Sequence, residues 1–245
     1  MCLTVIPQAA ARPPGRRSDA GHVRLQQRDL DGLLLIADHY AAPYDLLAQA
    51  LGVPPARLRA VTARWRAAGY AMTGVLGPGP AWCWLTPAGM AAVGHPWAAR
   101  APSLSRLAHV RAVLAARLWL QASPAWQQGG GWWRSERRLR AALPPPRVGV
   151  AHVADAEVHW PSASGSPYAG QVWAVEVELT PKPAARTARI MAGLLARPTY
   201  AQVVYLCSPA ARPVVDGTAA ALPGEARDRV AVRDLPPAAS LPRAR

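Results

Sequence analysis

The strongest constraint on the fold is an alternating stretch at residues 171–179, with the sequence Gln-Val-Trp-Ala-Val-Glu-Val-Glu-Leu. Its β-branched and aromatic residues predict a strand. Side chains alternate between the two faces of a strand, so Glu176 and Glu178 share one face and Trp173, Val175, Val177 and Leu179 share the other. The paired carboxylates either meet solvent or belong to a site, and both alternatives are open at this point.

Carboxylates are scarce in this chain, yet they gather in its second half. Only five Glu occur, and four of them lie between positions 136 and 178, together with Asp155. Asp155 opens a predicted strand at 156–160, which can bring its carboxylate beside those of Glu176 and Glu178. Three converging carboxylates repel one another without a cation, and their oxygens suit Mg²⁺ or Mn²⁺. We therefore predict a metal site at Asp155, Glu176 and Glu178.

The elements around these carboxylates follow a recognisable order. The pattern predicts a helix at 132–142 bearing Glu136, strands at 148–153, 156–160 and 171–179, a helix at 184–195 and a strand at 202–207. The three strands have antiparallel character. His152 and His159 flank the Asp155 strand as further ligands or as bystanders. Trp132 and Trp133 either stack on bases or pack against the first helix.

The first 95 residues predict a different architecture. Apolar spacing and turn residues place helices at 28–40, 45–51 and 55–68, a hairpin at 70–76 and 81–85, and a further helix after Thr86-Pro87. Three helices followed by a hairpin resemble a winged helix-turn-helix. The resemblance implies that the third helix enters the major groove of DNA. Its candidate DNA contacts are Arg57, Arg59, Arg64 and Arg66. A protein-binding winged helix with a solvated arginine face is the alternative.

Charge is distributed unevenly along the chain. There are 28 basic and 14 acidic residues, giving a formal net charge of +14, and such an excess attracts polyanions. Part of the arginine excess reflects a GC-rich coding bias, so the position of the charge is more informative than its total. Residues 46–135 contain nine Arg and no acidic residue. This stretch of exclusively positive charge favours DNA as the partner.

The acidic residues carry a resemblance to a nuclease superfamily. Asp155, the pair Glu176-Val177-Glu178 and the preceding helix residue Glu136 resemble the PD-(D/E)XK pattern, in the expected order of helix, three-strand meander, helix and strand. The resemblance implies that Asp155 and Glu176 hold a metal and that Glu136 is an accessory acid. Glu178 stands in the place of the usual Lys, which gives the water an acidic partner instead of a cationic one.

Three basic residues follow the paired glutamates. Lys182 is the only lysine of the chain and lies four positions after Glu178. Its compact ammonium can swing back to orient water or neutralise a phosphate, and chance placement is the alternative. Arg186 and Arg189 continue the following helix and can hold the DNA backbone.

The combination of a winged helix with the stretch from Glu176 to Lys182, Glu-Val-Glu-Leu-Thr-Pro-Lys, resembles the replication-relaxation family of bacterial plasmids and integrative elements. The resemblance covers about residues 28–210. It implies a part in plasmid replication and DNA relaxation.

These patterns predict an α+β protein of two domains, a winged helix-turn-helix and a PD-(D/E)XK restriction-endonuclease-like core. The expected divisions are a flexible basic tail at 1–25, the winged helix at 26–95, a connecting helix and Gly-rich linker at 96–130, the nuclease-like domain at 131–235 and a tail at 236–245. Three distant cysteines argue against a zinc site or a disulfide framework. The chain has no apolar run of about 18 residues, so we expect a cytoplasmic protein.

Three functions are compatible with the sequence. The first is a DNA-processing protein of a mobile element that nicks or cuts DNA with Mg²⁺ or Mn²⁺. The second is a non-catalytic DNA-binding factor of replication, transfer or transcription that keeps the nuclease-like scaffold. The third is a protein-protein adaptor. The sequence is also compatible with a homodimer and with contacts to other plasmid replication or transfer proteins.

Overall fold

The computed structural model describes residues 24–143, 152–163 and 165–239. Within these residues the protein is mixed α+β and contains two separate β-sheets. Most of both expected tails and most of the strand expected at 148–153 lie outside the described residues. No described helix has both the length and the apolar character needed to span a bilayer.

The first part of the chain contains four helices and a small antiparallel sheet with the strand order β1-β3-β2. Its elements are α1 (Gln27–His39), β1 (Ala42–Pro43), α2 (Tyr44–Ala50), α3 (Pro55–Ala67), β2 (Ala71–Gly74), β3 (Trp82–Leu85) and α4 (Pro87–Ala92). The helices begin and end close to their predicted positions, and the hairpin strands are shorter than predicted.

Local sequence explains the third helix. Pro55 occupies its first turn, where the missing N–H costs nothing. Leu58, Val61 and Trp65 recur at helical spacing and are buried, as the sequence predicts. Gly69 follows the helix with a φ of +75°, a conformation that favours glycine. One face of α3 therefore packs inward and leaves the other for its arginines.

The second part of the chain builds a five-stranded sheet with the order β4-β5-β6-β7-β8. Strands β4, β5 and β6 are antiparallel, and β6, β7 and β8 are parallel. Its elements are α5 (Leu107–Gln121), α6 (Pro124–Gly129), β4 (Trp132–Ser135), α7 (Glu136–Ala141), β5 (Ala156–His159), β6 (Val172–Glu178), α8 (Ala184–Leu195), β7 (Gln202–Cys207), α9 (Arg212–Ala220), α10 (Gly224–Asp228) and β8 (Val230–Asp234). Short 3₁₀ turns lie at Leu104–Arg106 and Pro237–Ala239.

The predicted helix at 132–142 is wrong in its first four residues. Trp132 pairs with His159 and Ser135 pairs with Ala156, so this segment is the edge strand of the meander. Ser135 then caps α7 by accepting a hydrogen bond from the Arg138 N–H. Helical spacing in so short an apolar segment cannot outweigh pairing with β5.

Helix α5 packs against elements of the first part as well as against the large sheet. Its buried residues share one hydrophobic cluster with Leu33 and Trp65 of the first part and with Val175 and Val177 of the second. The break expected at 122–131 contains α6, because Ser123 caps a further helical turn before Gly130 adopts a φ of +62°. The segment expected to act as a linker thus contributes to the core.

The large sheet is covered on both faces. Val175, Val177 and Leu206 point toward the cluster that includes α5. Ala174, Val203 and Tyr205 point toward the opposite cluster, which includes residues of α8 and α9. Glu176 and Glu178 lie on this second face and are only 2% and 4% exposed. The alternative in which their face meets solvent is therefore wrong.

Candidate active site

Asp155 lies immediately before β5 and is held from three directions. Its Oδ2 accepts a hydrogen bond from the Val177 N–H of β6 at 2.8 Å. Its carbonyl oxygen accepts one from the Glu136 N–H at 2.9 Å. Its Oδ1 lies 2.9 Å from Nε2 of His109 on α5. These contacts fix the carboxylate between the meander and the central helix.

Glu176 is the most deeply buried of the predicted carboxylates. Burial and the negative charges of Asp155 and Glu178 raise the pKa of Glu176 to about 7, while His152 opposes the shift. His152 Nε2 lies 2.9 Å from Oε1 of Glu176. That hydrogen bond in turn raises the pKa of His152 above its ordinary value. Because the charge of Asp155 raises the pKa of Glu176, the two carboxylates belong to one site.

Glu178 is paired with the only lysine. Lys182 Nζ donates a hydrogen bond to Glu178 Oε1 across the turn between β6 and α8. The side chain of Lys182 is 28% exposed, whereas that of Glu178 is 6% exposed. Lys182 therefore contacts a carboxylate, and its role toward water or a phosphate stays a prediction.

Tyr205 is a neighbour that sequence reasoning missed. It pairs with Glu176 across the parallel β6–β7 register. Burial and the charges of Glu176 and Glu178 raise the pKa of its phenol. Its hydroxyl is buried and has no hydrogen-bond partner among the described residues. Tyr205 thus adds a hydroxyl without a hydrogen-bond partner among the described residues to the sheet face that carries Glu176 and Glu178.

Glu136 begins α7 and pairs with two arginines. Its carboxylate accepts from Arg140 Nε at 2.7 Å and from Arg106 Nη2 at 3.2 Å. Glu136, Asp155 and His109 line a cavity of about 20 Å³, which is large enough for one water molecule. The accessory position that the resemblance implies for Glu136 is thus adjacent to Asp155.

The three carboxylates that are predicted to bind a metal already have basic partners in the chain. Across residues 24–143, 152–163 and 165–239, no group of three or more His, Cys, Asp or Glu side chains is arranged to share a metal ion. Asp155, Glu176 and Glu178 instead contact His109, His152 and Lys182, respectively. The chemistry of the set still suits a hard cation, since carboxylate oxygens dominate it.

His109 is a site residue that no sequence pattern revealed. It lies 46 positions before Asp155 and on a helix assigned to the connection between domains. Burial lowers its pKa, but the hydrogen bond and charge of Asp155 outweigh burial, so the pKa of His109 is raised overall. Only the packing of α5 against the large sheet brings the two residues together.

His159 takes a different place from the one considered in the sequence. Its Nε2 lies 2.8 Å from Oε2 of Glu157, and Oε1 of Glu157 accepts from the Tyr200 hydroxyl at 2.8 Å. Its ring stacks on Trp132. His159 therefore belongs to a second polar cluster on the sheet and does not contact the Asp155 carboxylate.

The candidate DNA-contacting arginines divide into two groups. Arg57, Arg59 and Arg66 are exposed on α3 and form no ion pair with any residue in the described ranges. Arg186 and Arg189 are likewise exposed on α8. Arg64 differs, because its Nη2 contacts Oδ1 of Asp29 at 2.5 Å.

Asp29 shows why the stretch without acidic residues is not a uniform positive field. Burial raises its pKa, but hydrogen bonds from Gln26, Trp65 and Arg64 together with the Arg64 charge lower the pKa overall. Asp45 and Asp38 similarly contact Arg111 and Arg117. Acidic residues before position 46 thus neutralise part of the charge that follows.

No family model, curated protein or solved structure matches the chain.

Proposed function

We propose that this protein binds DNA and nicks or cuts it with Mg²⁺ or Mn²⁺ as part of the replication or relaxation of a mobile element. In this proposal the N-terminal helices and hairpin form a winged helix and the five-stranded sheet forms a PD-(D/E)XK-like core. The protein would act on DNA in the cytoplasm. The observation that carries the proposal is the proximity of Asp155 to Glu176: Asp155 accepts from the Val177 N–H, and burial together with the Asp155 charge raises the pKa of Glu176 to about 7.

The N-terminal part supports the DNA-binding half of the proposal. Helix α3 buries Leu58, Val61 and Trp65 and leaves Arg57, Arg59 and Arg66 exposed. The β2–β3 hairpin follows α3 directly. A helix with an exposed arginine face beside a hairpin supports a winged helix, whose helix would contact the groove and whose hairpin would contact the backbone of DNA.

The C-terminal part supports the nuclease half. Asp155 precedes the middle strand of an antiparallel meander, Glu176 and Glu178 lie on its third strand, and α8 and β7 follow. This order agrees with the order that the resemblance implies, except that α7 follows the first strand instead of preceding it. The exposed Arg186 and Arg189 on α8 can contact phosphates near the acidic groups.

Asp155 and Glu176 would hold the metal, with Glu178 beside them. The chemistry that a divalent cation would supply there is polarisation of the scissile phosphodiester and a lower pKa of the attacking water. In the chain itself, the Val177 N–H and His109 orient Asp155, and Lys182 balances the charge of Glu178. Exchange of the His152 and Lys182 contacts for a cation would free the oxygens of Glu176 and Glu178.

The same contacts favour one competing function. Each of the three carboxylates already has a cationic partner or hydrogen-bond donor in the chain. A non-catalytic DNA-binding factor would keep such a cluster as a structural element of its scaffold. The two functions differ in whether removal of a carboxylate changes a metal-dependent reaction.

The deciding experiment is the conversion of supercoiled plasmid by the purified protein with Mg²⁺ or Mn²⁺, with a chelator lane as the metal-free control. Glu176→Gln keeps the size of the side chain and removes its charge. Glu225→Gln, at an exposed position on α10, is the matched control. Relaxed or linear product that is lost with chelator and Glu176→Gln, but kept with Glu225→Gln, supports the nuclease. Absence of product together with a gel shift on the same DNA supports the scaffold.

A further inference from the structure

The phenol of Tyr205 is a polar group of the large sheet that the proposed reaction does not use. Tyr205 belongs to β7 and is completely buried. The parallel register pairs it with Glu176 of β6. Residues paired on neighbouring strands point to the same face of a sheet, and the strands lie about 4.8 Å apart. The Tyr205 side chain therefore leaves the sheet beside Glu176, on the face that α8 and α9 cover.

The hydroxyl of this phenol does not serve the stability of the fold. It is buried, and no residue in the described part of the chain forms a hydrogen bond with it. The side chain packs in the apolar cluster that also contains Met191, Leu194 and Val215. A buried hydroxyl without a partner has lost its hydrogen bonds to water and gains none in return. A phenylalanine would fill the same space without that loss.

The neighbouring carboxylates each have an oxygen that accepts no hydrogen bond. His152 Nε2 lies 2.9 Å from Oε1 of Glu176, and Lys182 contacts Oε1 of Glu178. Within residues 24–143, 152–163 and 165–239, no group donates to Oε2 of either carboxylate. Both carboxylates lie close enough to Tyr205 for their charges to raise the pKa of its phenol. A donor without an acceptor thus lies beside acceptors without a donor.

Asp155 shows how a carboxylate of this site is held. Its Oδ2 accepts a hydrogen bond from the Val177 N–H at 2.8 Å, while its Oδ1 lies 2.9 Å from His109 Nε2. Two groups of the chain therefore orient this carboxylate. The Glu176 carboxylate contacts His152 through one oxygen. When a cation replaces that contact, as in the proposed function, Glu176 needs another donor to keep its orientation.

We propose that Tyr205 is a positioning residue of the acidic site, whose hydroxyl donates a hydrogen bond to the Glu176 carboxylate when that carboxylate binds a divalent cation. An ionised carboxylate has about four acceptor positions on its two oxygens, so one oxygen can bind a cation while the other accepts from the phenol. A donor that orients a metal-binding carboxylate in this way strengthens metal binding. This inference rests on the proposed function, because it takes Glu176 as a metal ligand.

The Tyr205→Phe variant removes the hydroxyl and keeps the ring. Mn²⁺ affinity of the full chain, measured from the electron paramagnetic resonance of free Mn²⁺, reports on the metal site without DNA or cleavage. The melting temperature in chelator reports on the contribution of the hydroxyl to the fold. Tyr200→Phe is the matched control, because Tyr200 is 2% exposed and its hydroxyl has partners. That hydroxyl donates to Glu157 Oε1 at 2.8 Å and accepts from Arg197 Nη1 at 3.1 Å.

We expect Tyr205→Phe to weaken Mn²⁺ binding about 10-fold and to leave the melting temperature in chelator at or above the wild-type value. Tyr200→Phe should show the reverse pattern, because it loses two hydrogen bonds that lie outside the acidic site. Its melting temperature should fall and its Mn²⁺ affinity should remain unchanged.

Three results would overturn the proposal. Wild-type Mn²⁺ affinity in Tyr205→Phe removes the positioning role and leaves the proposed function intact. A lower melting temperature of Tyr205→Phe in chelator gives the hydroxyl a structural role instead. Absence of Mn²⁺ binding by the wild-type protein overturns this inference together with the metal-dependent function.

Discussion

His109 and Asp155 join the central helix to the acidic end of the large sheet. Their side chains meet at 2.9 Å although they lie on different elements. Asp155 also accepts from the backbone of β6, so its orientation depends on both layers. Helix α5 packs against the N-terminal part and also contacts, through His109, the carboxylate that we propose as a metal ligand.

Replacement of this histidine tests its positioning role. We expect His109→Asn to lower the rate of metal-dependent cleavage about 10- to 100-fold, because an outer partner that orients a ligand has an effect of this size. DNA affinity in chelator should remain unchanged. An unaltered cleavage rate at saturating metal would show that Asp155 needs no support from α5.

The Lys182–Glu178 pair is expected to contribute to stability. Lys182→Met leaves the Glu178 side chain, which is 6% exposed, without its cationic partner. We expect this variant to lower the free energy of unfolding by about 1–3 kcal/mol. Urea unfolding of Lys182→Met, Glu178→Gln and the double variant measures the coupling between them. Additive effects of the two substitutions would mean that the contact stabilises nothing.

The arginines of α3 should fall into two functional groups. Arg59→Ala combined with Arg66→Ala removes two exposed charges, so duplex affinity should fall and its salt dependence should weaken by about two units of slope. Arg64→Ala breaks a contact with the fully buried Asp29 and should lower stability by about 1–3 kcal/mol. Titrations at several salt concentrations and urea unfolding separate the two effects. Loss of DNA affinity in Arg64→Ala at unchanged stability would contradict this division.

Gly89 should tolerate no side chain. A Cβ at this position would overlap the carbonyl of Tyr70, which is backbone and cannot move aside. We expect Gly89→Ala to lower the free energy of unfolding by about 3 kcal/mol. Gly193 is the matched control, since nothing lies within 4 Å of its Cβ position on α8. Gly193→Ala should raise stability by about 0.5–1 kcal/mol, as measured by thermal unfolding. Equal melting temperatures for the two variants would refute the steric argument.

His39 should make the protein less stable in mild acid. Burial and the charge of Arg117 hold the pKa of His39 well below its ordinary value of 6.5. The unfolded chain therefore binds an extra proton as the pH falls below about 6.5, and this proton favours unfolding. Arg117 Nη1 lies 3.3 Å from His39 Nε2, and the amide oxygen of His39→Gln can accept in its place.

Urea unfolding at about pH 8 and about pH 5.5 checks the His39 prediction. The wild-type protein should lose more stability across this interval than His39→Gln. An identical pH dependence in the two proteins would show that another group governs the acid sensitivity.

Much of the local structure followed from the sequence. The helices of the first part, the buried stripe of α3 and the strand that carries Glu176 agree with the apolar spacing, because these features depend on neighbours within a few residues. The segment at 132–135 did not follow from such spacing, since its strand state depends on pairing with β5, more than twenty positions later.

Part of the candidate site could also be predicted from the sequence. Alternation along β6 was enough to predict that Glu176 and Glu178 share a face. It could not predict that α8 and α9 bury that face, which raises the pKa of Glu176. Nor could it select Tyr205 as the residue opposite Glu176.

The sequence by itself determined an α+β chain with scarce, clustered carboxylates and an arginine-bearing third helix. Only the tertiary structure decided which charges meet. Asp29 contacts Arg64 from 35 positions away, and Asp38 contacts Arg138 from 100 positions away. The reason is physical: secondary structure depends mainly on nearby residues, whereas ion pairs and pKa values depend on distance and burial in the packed fold.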